Sequence, residues 1–104
     1  MYQKLVRDNI PDIIRNNGEE PIVEVLDDER YKIELERKLL EEANEVINAG
    51  GVDRVEELAD LLEVMDALVI HEGYTLDDVL EARSSKFEKR GGFSKRLFLS
   101  DVKK

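Results

Sequence analysis

Two long stretches of helical periodicity meet at a pair of glycines, and that junction limits what the chain can become. From Asp27 or Asp28 to about Ala49, the residues Leu35, Leu39, Ala43, Val46 and Ile47 recur on one face of a helix. After Gly50 and Gly51 a second run continues to about Glu72, carrying Val55, Leu58, Leu61, Leu62, Met65, Leu68 and Val69. A glycine pair ends a helix readily because it tolerates backbone angles that other residues avoid. A connection this short makes the two helices antiparallel neighbours. Asp53, with Glu56 three residues on, has the spacing of an N-terminal capping box. The second run is the most apolar surface in the chain, so its helix is expected to be central.

The remaining segments are shorter. Asp8 or Asn9 is placed to cap a first helix, with Pro11 in its first turn and Gly18 just past its end. PIVEVL, residues 21–26, alternates as a short strand does. Gly73 stops the third helix. Thr75 and Asp78 cap a fourth from about Leu76 to Lys89, with Val79, Leu80 and Phe87 directed inward. Gly91 and Gly92 break it, and FSKRLFL, residues 93–99, is expected as a second short strand beside residues 22–25. The fold class predicted is all-α: an antiparallel bundle of about four helices with short extended terminal segments, in one domain over residues 1–104. So apolar a third helix calls for a covering chain, hence a homodimer or higher homo-oligomer.

Composition excludes several functions. There are 25 acidic and 16 basic residues, a net charge of -9, which repels nucleic-acid backbones. No cysteine is present, so disulfides, Cys-based zinc sites and a thiol nucleophile are ruled out. No apolar run is long enough to span a membrane, and MYQKLVRDNIPDII lacks the apolar core of a signal peptide. A cytoplasmic protein is expected.

EEANEVINAGGVDRVEELAD, residues 41–60, sets acids on both sides of the glycine junction. At about 100° per residue, Glu42 lies roughly 20° outside the apolar stripe of its helix and Glu45 about 60° further out. Glu57 and Asp60 bear the same relation to theirs. In a hairpin centred on Gly51, Glu42 is level with Asp60 and Glu45 with Glu57. Four carboxylates so close repel unless protons or cations neutralise them. Oxygen-only ligands favour a hard cation, Mg²⁺ or Mn²⁺. Any one of these acids, taken singly, is better read as the solvated margin of a charged helix; the matched spacing of all four favours the metal. Glu41, Glu56 and Glu63 project further outward.

At these residues the chain resembles the MazG-type all-α nucleoside triphosphate pyrophosphohydrolases. That superfamily also holds dimeric dUTPases and phosphoribosyl-ATP pyrophosphohydrolase. Its signature, EExxE on one helix and ExxD on the next, is matched by EEANE at 41–45 and ELAD at 57–60. KLVRDNIPDII near the start and KFEKRGGFSKRLFL near the end resemble its small phosphoribosyl-ATP pyrophosphohydrolase-like branch, so the likeness covers most of the chain. The spacer of eleven residues between Glu45 and Glu57 lies at the short end of the family's range. The chain lacks the His-bearing apolar segment of the histidine-pathway enzyme, and that substrate is not assigned.

The resemblance implies Mg²⁺-dependent hydrolysis of a nucleoside triphosphate to monophosphate and pyrophosphate, in nucleotide house-cleaning. It implies Glu42, Glu45, Glu57 and Asp60 as metal ligands, with Glu41 a further ligand or the group orienting the attacking water. Either Glu41 or a ligand carboxylate such as Glu45 would accept that water's proton. Lys4 and Arg7 are one candidate set of phosphate-binding cations; Lys86, Lys89 and Arg90, ahead of two glycines, are another. The residues alone allow the second set to serve only the helix dipole; the resemblance favours Lys86 and Arg90 as ligands. His71, at a helix end, is a dipole partner without a catalytic role. Tyr31, Tyr74, Phe87 and Phe93 either stack on a base or pack. Two other classes stay open: a non-catalytic acidic interaction or regulatory protein, and a divalent-metal module without turnover.

Overall fold

Helices account for all the regular structure among the described residues, 3–104 of the computed structural model. They are α1 (Ile10–Asn16), α2 (Asp28–Asn48), α3 (Gly51–His71) and α4 (Leu76–Arg90). The Asp27 carboxylate opens α2 by accepting a hydrogen bond from the Arg30 N–H at 2.9 Å. Thr75 and Asp78 form the reciprocal capping box that opens α4. Only Ala49 and Gly50 separate α2 from α3, and both are extended. Gly51 then turns the chain at φ 57°, a left-handed angle that disfavours any side chain.

The α2–α3 hairpin holds what core there is. Leu35 on α2 and Val64 on α3 are buried, with 2% and 8% of their surface exposed. Leu39, Ala43 and Val46, then Leu61, Leu68 and Val69, are half-buried beside them. Ile47, expected in the same stripe, lies near the end of α2 and is exposed. The all-α bundle is therefore present in its central hairpin, with α4 as an outlying helix. Among the described residues α4 touches α3 and no other helix.

Several local expectations are corrected. Residues 21–26 and 93–99 form no strands. The first segment is tied to the start of α2 by Arg30 and Glu24, 2.9 Å apart, with Ile22 and Val25 in solvent. The second is interrupted by a turn in which the Arg96 N–H donates to the Phe93 carbonyl, with Arg96 itself at φ 59°. The capping box at Asp53 and Glu56 is absent, because the glycine turn lets α3 begin three residues earlier, with Gly50 at the cap position. Asp53 instead sits in the first helical turn, where the dipole favours it. Asn9 occupies the cap position of α1 without a side-chain hydrogen bond. Val79, Leu80 and Phe87 are exposed rather than inward, because α4 runs away from the hairpin.

The exit from α3 has a clear cause. The Gly73 N–H donates to the Ile70 carbonyl and the Tyr74 N–H to that of Val69, a Schellman motif with Gly73 at φ 88°. The result is an elongated molecule, 64 × 33 × 23 Å, with a radius of gyration of 18.3 Å. A compact chain of this length has a radius near 13 Å. Nothing lies within 4 Å of where a Cβ on Gly73 would sit, so Gly73→Ala meets only the backbone penalty. That substitution is expected to cost about 1 kcal/mol of stability, read as a lower midpoint in urea at unchanged slope.

Candidate metal centre

The short turn fixes which residues of α2 and α3 stand level, and the site follows from it. Glu42 projects from α2; Glu57 and Asp60 project from α3, one turn apart on one face. One carboxylate oxygen from each lies within 4.8 Å of the others. Glu42 is buried, at 8% exposure, while Glu57 and Asp60 are half-buried. The cluster thus has a dry floor and an open side.

Glu45 stands outside this group of three and is exposed. It is still electrostatically close. Partial burial, then the negative charges of Glu45, Asp60, Glu42 and Glu56 in that order, hold the Glu57 carboxyl above its ordinary range. Glu41 is exposed on the outer side of α2.

Two cations answer this charge. Arg7 Nη2 donates to Asp60 Oδ1 at 2.6 Å, closing the N-terminal segment onto the hairpin across 53 positions of sequence. Lys38 Nζ lies 3.6 Å from Glu42 Oε1 and 3.7 Å from Glu41 Oε1. The Lys38 side chain is four-fifths buried, so its charge acts under weak screening. Lys38 does not stand out in the sequence, yet its spacing to Glu41 and Glu42, three and four residues on a helix, is the signal that finds it. Arg7, expected at a phosphate, is instead on a carboxylate; Lys4 precedes it, exposed, in the same segment.

Lys86 and Arg90 lie on α4, exposed, with no ion pair among the described residues, and α4 does not reach α2. The chain by itself does not assemble them with the acids. Tyr31 meets His71 edge-on, with ring centroids 5.3 Å apart, and so packs the hairpin's open end. Tyr74, Phe87 and Phe93 are exposed.

Chemically, three hard oxygen donors with a net charge only partly offset by Arg7 and Lys38 suit a divalent cation such as Mg²⁺. The open side leaves room for the waters such a cation keeps.

Comparisons with known proteins add little to this geometry. No protein-family model matches the chain, and no solved structure matches it. An uncharacterized protein of Mycolicibacterium smegmatis is 44% identical over 50 residues. Those residues are 48% of this chain and 51% of that protein, so the match spans about half of each.

The raised Glu57 pKa sets a pH dependence. The folded carboxyl holds its proton more tightly than the unfolded one. Its ionisation therefore costs stability as pH rises from 4.5 through its higher folded value. Below 4.5 that cost disappears. With a chelator present, Glu57→Gln is expected to be more stable than the parent at neutral pH, the difference vanishing in acid. Urea unfolding at both pH values measures it.

Proposed function

We propose that this protein is a Mg²⁺-dependent nucleoside triphosphate pyrophosphohydrolase of the MazG type, splitting a nucleoside triphosphate with water into monophosphate and pyrophosphate. The supporting observation is the grouping of Glu42, Glu57 and Asp60 from two helices within 4.8 Å. The EExxE and ExxD spacings, and the segments around Arg7 and Arg90, are consistent with it. A homo-oligomer clearing unwanted nucleotides in the cytoplasm is part of the same reading.

In this reading Glu42, Glu57 and Asp60 would hold Mg²⁺, with Glu45 as a further ligand. Mg²⁺ supplies charge neutralisation at the phosphate oxygens and a more acidic water. Glu41 or Glu45, both exposed on α2, accepts the proton of the attacking water. Arg7, which pairs with Asp60, would bind the substrate's phosphates with Lys4, Lys86 and Arg90. No Cys is present and no Ser lies in a nucleophile motif, so water is the attacking group.

One observation favours a second reading. Arg7 and Lys38 already pair with Asp60 and Glu42, so the acids have cations of their own. In that case the hairpin is an acidic interaction surface, or binds metal without turnover.

Pyrophosphate release from a panel of nucleoside triphosphates, with and without Mg²⁺, separates these. Mg²⁺-dependent release is expected, reduced at least about 100-fold in Glu42→Gln and in Asp60→Asn. No release from any member of the panel, in folded protein, contradicts turnover of these substrates.

A further inference from the structure

The Arg7–Asp60 pair differs in kind from the other arginine pairs of the chain. Arg15–Asp12, Arg30–Glu24 and Arg37–Glu34 join residues six or fewer apart and fasten a stretch of backbone to itself. Arg7 Nη2 reaches Asp60 Oδ1 at 2.6 Å across 53 positions, and so fastens the N-terminal segment to α3. That segment is lightly packed. Residues 3–9 contain no helix, only Leu5 among them is half-buried, and α1 touches no other helix among the described residues. The group it is fastened to belongs to the candidate metal centre, since Asp60 has a carboxylate oxygen within 4.8 Å of those of Glu42 and Glu57. The second cation of the cluster is placed differently. Lys38 stands one turn before Glu41 and Glu42 on the same helix, 3.7 and 3.6 Å from their carboxylates, with its side chain four-fifths buried. Lys38 is built into α2. The Arg7 and Asp60 side chains are 57% and 43% exposed, and Arg7 is carried by residues outside any helix.

We propose that the Arg7–Asp60 pair is a latch opposed by divalent cations: it fastens the N-terminal segment to α3 while no divalent cation is bound, and it opens when one is. This rests on the metal centre of the reading above, but not on turnover of any nucleotide. Two physical terms set the direction. An exposed ion pair is weak, so little resists its opening. A guanidinium and a divalent cation on the same carboxylate lie a few ångströms apart and repel, with twice the Coulomb energy of two single charges. Lys38 has no such freedom, because its stem is buried on the helix that carries its partners. Coupling between two binding events is reciprocal: the factor by which the cation weakens the latch is the factor by which the latch weakens the cation. Arg7 therefore lowers the affinity of the centre for the bare ion. Occupancy of the centre, in turn, sets whether the N-terminal segment is held on α3 and whether Arg7 is available to another anion.

The chain has no cysteine, so a nitroxide on Gln3→Cys, at an exposed position, reports the segment alone. Diamagnetic Mg²⁺ is titrated into the labelled protein and the mobility of the label is read from its resonance spectrum. Mobility is expected to rise with Mg²⁺. In Gln3→Cys/Arg7→Gln it is expected to be high from the outset and insensitive to Mg²⁺. Without the label, Arg7→Gln is expected to bind Mn²⁺ about 5-fold more tightly than the parent, the reciprocal of the latch. Arg7→Lys keeps the charge but not the planar fork, and falls between the two. Both substitutions alter an exposed side chain outside the helices, so helical content is retained and misfolding does not explain the result. Label mobility unmoved by saturating Mg²⁺ overturns the latch and leaves the centre standing. So does an Mn²⁺ affinity in Arg7→Gln equal to or below that of the parent. A parent that binds neither ion overturns the centre and the latch together. Neither readout contains a nucleotide, so a failed turnover assay bears on the proposed reaction and not on this result.

Discussion

Two extended residues, Ala49 and Gly50, join two helices of 21 residues each. A connection that short leaves the helices no freedom to slide, so every position on α2 has a fixed counterpart on α3. Leu35 and Val64 are buried because of that register. So is Glu42, whose carboxylate is thereby held beside Glu57 and Asp60. A longer loop would let the apolar stripes meet in more than one alignment, and the acids would separate. The positive φ of Gly51 is the local condition for the turn, and the carboxylate cluster is its consequence.

The cluster is costly to keep. Carboxylates a few ångströms apart repel, and the raised Glu57 pKa expresses that repulsion together with partial burial. Arg7 and Lys38 reduce the repulsion from opposite directions: one arrives from the N-terminal segment, the other from the preceding turn of α2. The Arg7–Asp60 pair is about half exposed on both sides and contributes little to stability. It places a positive charge on the Asp60 carboxylate.

Helix existence was legible from the sequence because apolar spacing and caps agreed: Asp27 before α2, Thr75 and Asp78 before α4, and Gly73 after α3. Glu42, Glu57 and Asp60 were legible because register across a short hairpin is simple geometry. The same projection set Glu45 level with Glu57 and further from the apolar stripe, and Glu45 is exposed and its charge acts on Glu57 from outside the group of three. The Asp53 box failed because two glycines can start a helix without a side-chain cap. PIVEVL and FSKRLFL have the composition of strands, but pairing is a property of two segments in space, and these are not brought together. The expectation that Phe87 and Leu80 face inward treated apolar spacing as evidence of a core within one chain. Periodicity shows that a face is to be covered, not by which molecule.

The central claim is that Glu42, Glu57 and Asp60 form one divalent-cation site. Mn²⁺ tests it directly, because the free ion's paramagnetic resonance signal disappears on binding. The account predicts saturable Mn²⁺ binding that Mg²⁺ displaces, and that is lost in Glu42→Gln and in Asp60→Asn while helical content is unchanged. Weak, unsaturable binding, or saturable binding that survives both substitutions, would contradict it.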